Sequence, residues 1–237
     1  MPRRKTQTPL QIERISAILF DVDGTLSDSD DRMVETAHGM LRFLHPLLGD
    51  EHSRRLARWL VRNAESPANL LLEWADRLGV DHFFARFLDR RAQIDAPAAT
   101  PTDFPVIPGV PEMLAELSIK FPLAIVSARN NLTTRLFLSL NHLDGYFPVV
   151  VTSQTCTRTK PFPDPIRFAA EELGVHVNEC LMVGDTVTDV RAALAAGAQS
   201  LSVLCGFGTK AELEQAGTQQ ILESTANLMA FLENQPG

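Results

Sequence analysis

The feature that most constrains the fold is a series of short apolar runs that alternate with helical patterns of apolar residues along most of the chain. Short apolar runs bounded by polar residues are typical of buried strands. Strands that alternate with helices predict a parallel sheet covered by helices on both faces, an α/β, doubly wound architecture. The predicted strands are residues 16–21, 123–127, 148–152, 180–184 and 200–204.

Helical patterns fill the intervals between these strands. The predicted helices are residues 109–120, 131–141, 164–173 and 187–196, with two short helices over 210–233. Asp164 is suited to cap the N-terminus of its helix, with Pro165 at the first helical position and Gly174 as the stop. The alanine-rich helix that ends at Gly197 has small side chains where it must pack closely against the sheet.

The stretch Asp21-Val22-Asp23-Gly24-Thr25 follows the first predicted strand directly. Its two carboxylates lie where the strand must stop, Gly24 permits a sharp turn and Thr25 adds a hydroxyl. Such a group at the carboxyl end of a strand can hold a metal ion and attack an electrophile. The plainer interpretation is an Asp/Gly loop between a strand and a helix, and the stretch alone leaves both open.

Three later segments place polar residues in the same relation to a predicted strand. Ser127 ends one apolar run, Lys160 begins a proline-rich loop, and Asp185 ends another run with Asp189 four residues later. Taken singly, Ser127 is typical of a helix cap and Lys160 of a solvated surface residue. Because ligands of an open parallel sheet bind beyond the carboxyl ends of its strands, we expect Asp21, Ser127, Lys160 and Asp185 to converge.

Composition and charge exclude several kinds of protein. The net charge of −7 argues against general nucleic-acid binding, and no run of 18 apolar residues is present to span a membrane. The basic start of the chain is not followed by the apolar stretch of a secretory signal. The wide spacing of Cys156, Cys180 and Cys205 argues against a zinc site or a disulfide framework and fits a reducing cytoplasm. Cys156, in a polar loop, is either incidental or a reactive thiol.

The long interval after the first predicted strand contains no convincing strand. Its helical patterns cover residues 30–48, 51–63, 67–78 and 81–94. We therefore predict a Rossmann-like core of residues 1–26 and 106–237, interrupted by a helical domain of residues 27–105. One predicted helix carries a stripe of arginines, which is either a solvated face or a surface that attracts an anionic substrate. The stripe consists of Arg54, Arg55, Arg58 and Arg62.

Asp21 to Thr25, Ser127, Lys160 and the pair Asp185 and Asp189 together resemble the four ordered motifs of the haloacid dehalogenase-like hydrolase superfamily. The resemblance covers residues from about 15 to 206, nearly the whole chain. Within that superfamily, the chain resembles the phosphoglycolate phosphatase-like branch. In this branch a helical insertion after the first motif is a cap that closes over the active site. A cap limits access, so the resemblance implies a small phosphorylated metabolite as substrate.

The resemblance also implies roles for individual residues. Asp21 is the nucleophile that forms an aspartyl-phosphate, and Asp23 protonates the leaving oxygen and later deprotonates the attacking water. Mg²⁺ is the implied cofactor, held by the side chains of Asp21 and Asp185 and by the backbone carbonyl of Asp23. Asp189 acts behind these ligands, where it engages Lys160 or caps its helix.

The remaining predicted site residues bind the transferring phosphoryl group. They are Gly24, Thr25, Ser127, Ala128, Arg129 and Lys160. The Ser127 hydroxyl and the backbone N–H of Ala128 are expected to donate to phosphoryl oxygens, and Lys160 is expected to neutralise charge in the transition state. Arg129 either reaches the substrate or faces solvent.

The predicted function is a magnesium-dependent phosphomonoesterase. A phosphomutase, in which an alcohol instead of water accepts the phosphoryl group, and a non-catalytic binding module on the same fold stay open as alternatives. A dehalogenase is disfavoured by Asp23, because a leaving halide needs no proton.

Overall fold

The computed structural model describes residues 9–28 and 105–234. The chain divides into two units, residues 1–29 with 104–237 and residues 30–103. The second unit lies outside the described residues. The helical cap predicted for residues 27–105, its four helices and its arginine stripe therefore stay predictions.

Six parallel strands form a single sheet in the order β3–β2–β1–β4–β5–β6. Their bounds are β1 Ala17–Phe20, β2 Leu123–Val126, β3 Val149–Val151, β4 Cys180–Gly184, β5 Gln199–Val203 and β6 Gln220–Leu222. The four central strands are buried at every residue, as expected for a parallel sheet covered on both faces. The prediction of a Rossmann-like, doubly wound sheet is confirmed.

Helices of the described residues connect these strands. They are α1 Val110–Lys120, α2 Asn131–Leu140, α3 Asp164–Glu172, α4 Val187–Ala196, α5 Lys210–Ala216 and α6 Leu228–Glu233. Local chemistry sets their ends: the Asn130 side chain accepts the Thr133 N–H at the start of α2, and Gly197 ends α4 with a φ of 89°. Among the helices described, none combines the length and apolar character needed to cross a membrane.

The structure adds one strand among the predicted helices and corrects one predicted helix cap. Residues 210–233 form α5 and α6 as expected, but strand β6 lies between them at the edge of the sheet. Asp164 is the first helical residue of α3, and Pro163 occupies the N-cap position. The Asp164 carboxylate instead pairs with the guanidinium of Arg158 at 3.1 Å.

Alternate residues of β1 face two separate cores. Ile18 and Phe20 pack in one hydrophobic cluster, whereas Ala17 and Leu19 pack in the other with the alanines of α4. This alternation follows from the period of two along a strand. The strand order reverses between β1 and β4, and the loops that follow these two strands lie beside each other at the carboxyl edge, where open α/β sheets bind their ligands.

Candidate active site

The loop after β1 is a closed turn that fixes the position of Asp21. The backbone N–H of Asp21 donates to the carbonyl of Val183 on β4 at 3.0 Å. The N–H groups of Leu26 and Ser27 both donate back to the carbonyl of Val22, at 2.9 and 2.8 Å. Gly24 has a φ of 69°, a conformation that strongly favours glycine. The turn therefore fixes the position of Asp21 at the point where the strand order reverses, between β1 and β4.

Lys160 lies between two buried carboxylates. Its Nζ is 2.9 Å from Oδ1 of Asp21 and 2.6 Å from Oδ1 of Asp189. Burial opposes the charge on Lys160, but the carboxylates of Asp189 and Asp21 outweigh it and raise the pKa above its usual range. The ammonium group is therefore a fixed positive charge beside the predicted nucleophile.

The Asp21 carboxylate is in an unusual electrostatic environment. Burial raises its pKa to about 7, against the opposing effect of Lys160 and with smaller upward effects from Asp189 and Asp23. A positive charge added to the site would counter this and favour the carboxylate form. The surroundings of Asp21 are thus suited to a bound cation.

Asp189 makes both of the contacts that the sequence left open. Besides its ion pair with Lys160, its Oδ2 accepts the backbone N–H and the hydroxyl of Thr186, at 3.0 and 2.6 Å. Thr186 is the N-cap residue of α4, so Asp189 completes a capping box. One carboxylate thereby ties the position of Lys160 to the start of a helix.

Asp185 is fully buried and is held by neutral donors. The Thr25 hydroxyl donates to its Oδ1 at 3.1 Å, and the backbone N–H of Phe207 donates to its Oδ2 at 2.7 Å. Glycines surround it: a Cβ at Gly24 or Gly206 would overlap the Asp185 carboxylate. Only glycine, which has no Cβ, allows the backbone to lie this close to the carboxylate.

Three carboxylates could hold a metal ion together. Single oxygens of Asp21, Asp185 and Asp189 all lie within 4.8 Å of one another. A buried set of carboxylate oxygens suits a hard divalent cation. Asp21 and Asp185 are the direct ligands that the sequence predicts, and Asp189 lies beside them with its oxygens engaged by Lys160 and Thr186. These residues fit the metal that the sequence predicts.

Ser127 and Arg129 connect the loop after β2 to the loop after β1. The Ser127 side chain is buried, and its Oγ accepts the backbone N–H of Arg129 at 3.1 Å. The Arg129 Nε donates to Oδ2 of Asp23 at 2.7 Å, and its Nη2 donates to Oδ1 of the same carboxylate. The alternative that Arg129 faces solvent was wrong, since its side chain is 13% exposed. Ala128 is exposed beside it.

Some contributors to the site were missed in the sequence. Beyond the Phe207 N–H and Gly206, the Thr225 hydroxyl donates to the carbonyl of Thr25 at 2.6 Å, which anchors the first loop to the C-terminal part of the chain. The Gly-x-Gly pattern after the fifth predicted strand was a visible signal for a close backbone approach. Thr225 gave no signal, because its contact is 200 residues away in sequence.

The sequence of this chain is similar to those of known hydrolases. Residues 18–203 match a family model described as haloacid dehalogenase-like hydrolase. Among curated relatives, a phosphoglycolate phosphatase of Neisseria meningitidis is 31% identical over 214 residues, 86% of each chain. A phosphoglycolate phosphatase of Pectobacterium atrosepticum is 26% identical over 226 residues, 94% of each chain.

Solved structures show the same similarity. A hydrolase from Pseudomonas syringae has a TM-score of 0.73 and 26% identity, and the match covers 94% of this chain and 100% of that one. A HAD family hydrolase from Deinococcus radiodurans, solved with bound phosphate and sodium, has a TM-score of 0.67 and 26% identity, with 92% and 95% covered.

Proposed function

The chain belongs to the haloacid dehalogenase-like hydrolase family, and on that premise we propose that this phosphatase hydrolyses small phosphorylated metabolites through an aspartyl-phosphate on Asp21. The observation that carries the proposal is the placement of Lys160, whose Nζ is 2.9 Å from the Asp21 carboxylate inside a buried site. A carboxylate and a fixed cation at the switch point of the sheet are suited to bind and attack a phosphoryl group.

The proposed reaction has two displacements at phosphorus. A carboxylate oxygen of Asp21 attacks phosphorus as the bond from phosphorus to the ester oxygen breaks. Water then attacks the aspartyl-phosphate, which releases inorganic phosphate and restores the carboxylate. Lys160 stabilises the charge that spreads over the phosphoryl oxygens in both steps.

Asp23 is the proposed general acid and base. In its protonated form it donates a proton to the leaving oxygen in the first step, and as a carboxylate it then accepts a proton from the attacking water in the second, which restores the protonated form. Its side chain lies next to Arg129, which ends the loop that carries Ser127. Ser127 and the N–H of Ala128 are the proposed donors to the phosphoryl oxygens, with Gly24 and Thr25 shaping the floor of the site.

Mg²⁺ is the proposed cofactor. Asp21 and Asp185 would hold it through their side chains and Asp23 through its backbone carbonyl, an oxygen ligand set that suits this ion. When bound, it shields the negative charges of the nucleophile and the phosphate from each other. The cluster of carboxylates around Asp21 and Asp185 supports this assignment.

The proposed substrate class is a small phosphate monoester that itself carries a carboxylate. Its support is that several similar proteins are phosphoglycolate phosphatases. The arginine stripe predicted within residues 27–105 is either a solvated face or a surface that attracts an anionic substrate, and in the second case it would favour such an anion. A cytoplasmic location belongs to the same proposal and fits the three free thiols of the chain.

Phosphate release tests the proposal. Wild type and Asp21→Asn are assayed with p-nitrophenyl phosphate and with 2-phosphoglycolate, with Mg²⁺ or with a chelator. Turnover that requires Mg²⁺ and disappears in Asp21→Asn is expected. The matched control is Asp144→Asn, an exposed aspartate outside the site, which should keep full activity. Retained turnover in Asp21→Asn would overturn the proposal, and interconversion of sugar phosphates without net phosphate release would identify a phosphomutase.

A further inference from the structure

We propose that Arg129 is a positioning residue for Asp23 and acts on the reaction through that side chain instead of by contacting the substrate. The inference rests on the proposed function, since it is there that Asp23 transfers protons. It concerns a residue for which the sequence left the role open between substrate binding and solvent exposure.

Two hydrogen bonds join the side chains of Arg129 and Asp23. Nε of Arg129 donates to Oδ2 of Asp23 at 2.7 Å, and Nη2 donates to Oδ1. A guanidinium that engages both oxygens of a carboxylate fixes the rotation of that group as well as its position. The side chains are 13% and 24% exposed, so solvent screens the pair only in part. A fixed carboxylate is what a general acid and base requires, because proton transfer depends on reach and alignment.

Arg129 is itself held in place from three directions. Its backbone N–H donates to the Ser127 Oγ at 3.1 Å, and its carbonyl accepts the N–H of Ser153 at 3.0 Å. Its guanidinium lies over the ring of Phe137 with 5.4 Å to the centroid. Phe137 is fully buried in the core. Arg129 therefore links the orientation of Asp23 to the hydrophobic core.

This arrangement joins two loops that the reaction needs in register. Asp23 lies on the loop after β1 and Ser127 on the loop after β2, and Arg129 contacts both. A phosphoryl group bound by Ser127 would then meet a proton donor at a set distance and angle. Nε and Nη2 of the guanidinium both point at Asp23, the proposed general acid and base.

Leaving-group dependence tests the inference. An alkyl phosphate such as 2-phosphoglycolate has a poor leaving group that needs the proton from Asp23, whereas p-nitrophenolate leaves without one. Arg129→Gln should lower kcat for the alkyl substrate by about 100-fold, the scale of general acid catalysis, and change kcat for the aryl substrate far less. Equal losses for both substrates, a rise in KM alone, or a gain in activity would each overturn the inference.

A double-mutant cycle provides the second test. In an Asp23→Asn background, Arg129→Gln should have little further effect on the alkyl substrate, because residues that act through one another are not additive. A full and additive loss in that background would show that Arg129 contacts the substrate directly and would overturn the inference. Wild-type protein without Mg²⁺-dependent phosphate release would instead defeat the proposed function, and the inference with it.

Two further variants separate positioning from general loss of structure. Arg129→Lys keeps the charge but lacks the planar fork, so it should restore only part of the alkyl activity. Arg135→Gln, an exposed arginine on the helix that follows Arg129, should leave both activities unchanged. Thermal unfolding of every variant shows that the comparison is made between folded proteins. Full activity of Arg129→Lys with both substrates would contradict a need for the fork.

Discussion

The site holds its two central carboxylates by different means. In the charged half, made of Asp21, Lys160 and Asp189, a buried ammonium lies between two carboxylates at 2.9 and 2.6 Å. In the glycine-lined half, Gly24, Gly206 and the N–H of Phe207 surround Asp185, which also accepts the Thr25 hydroxyl at 3.1 Å. In these contacts, Asp21 is paired with an opposite charge, whereas Asp185 accepts hydrogen bonds from neutral donors and is closely packed by glycines.

The two halves are expected to affect different quantities, turnover in the charged half and stability in the glycine-lined half. Under the proposed function, charge in the first half acts directly on a phosphoryl group, so changes there should reduce turnover most. Backbone packing in the second half sets where Asp185 lies, so changes there should reduce stability and affect turnover through geometry.

The largest effect of these is expected from Lys160→Met in the charged half. Turnover should fall by about 100- to 1,000-fold, because a preorganised charge at the transition state is lost. The variant also leaves Asp21 and Asp189 buried without their cation, which should cost about 3–5 kcal/mol of unfolding free energy. Urea unfolding in the presence of a chelator and steady-state kinetics measure the two effects.

The control for this variant is Lys120→Met. Lys120 pairs with Glu233 at 2.7 Å, but both side chains are about half exposed. An exposed ion pair contributes less than about 1 kcal/mol, so stability should change little and activity not at all. Equal losses of stability in the two lysine variants would show that burial does not distinguish the charged half.

A smaller effect is expected from Gly206→Ala in the glycine-lined half. The added Cβ would overlap the Asp185 carboxylate and lie 2.5 Å from the carbonyl oxygen of Gly24. Overpacking of this kind costs about 1–3 kcal/mol. We expect lower affinity for Mg²⁺, seen as a higher metal concentration at half-maximal activity. Gly145→Ala, where a Cβ meets nothing within 4 Å, is the control. Unchanged metal dependence in Gly206→Ala would contradict the packing argument.

The smallest effect is expected from Thr225→Val, which acts on the first loop from outside. Loss of its hydroxyl leaves the Thr25 carbonyl without this 2.6 Å hydrogen bond in a buried place. An unsatisfied buried group costs about 1–3 kcal/mol, and turnover should fall only a few-fold. Thr225→Ser retains the hydroxyl and should behave as wild type in thermal unfolding and kinetics. Equal instability of both variants would contradict a role for the hydrogen bond, because Thr225→Ser keeps the hydroxyl that Thr225→Val lacks.

The centre of the fold and one edge strand, β3, could be predicted from the sequence, and the other edge strand, β6, could not. Strands β1, β2, β4 and β5 are continuous buried runs, and a strand buried on both faces leaves that pattern in sequence. Strand β6 was missed because Gln220–Leu222 is a short, partly exposed segment that begins with a polar residue, whereas the equally short β3 is a run of three valines. Its pairing with β5 depends on tertiary contacts that no local pattern records.

The site shows the same division. Asp21, Lys160, Asp185 and Asp189 could be found because their chemistry lies in side chains at strand ends. The Phe207 N–H could not, since every residue but proline has that donor and only the fold directs it at Asp185. The pair of Arg129 with Asp23 also depends on which loops become neighbours. The sequence therefore predicted the candidate reacting groups, while the groups that orient them emerged from the structure.

The most direct test of the account is to locate the phosphoryl group on the enzyme. Protein mixed with substrate and Mg²⁺ is quenched in acid within one turnover and digested, and the peptides are analysed by mass spectrometry. The account predicts a phosphoryl group on Asp21, absent from Asp21→Asn. A phosphoryl group on another residue, or turnover without any phosphorylated enzyme, would contradict it.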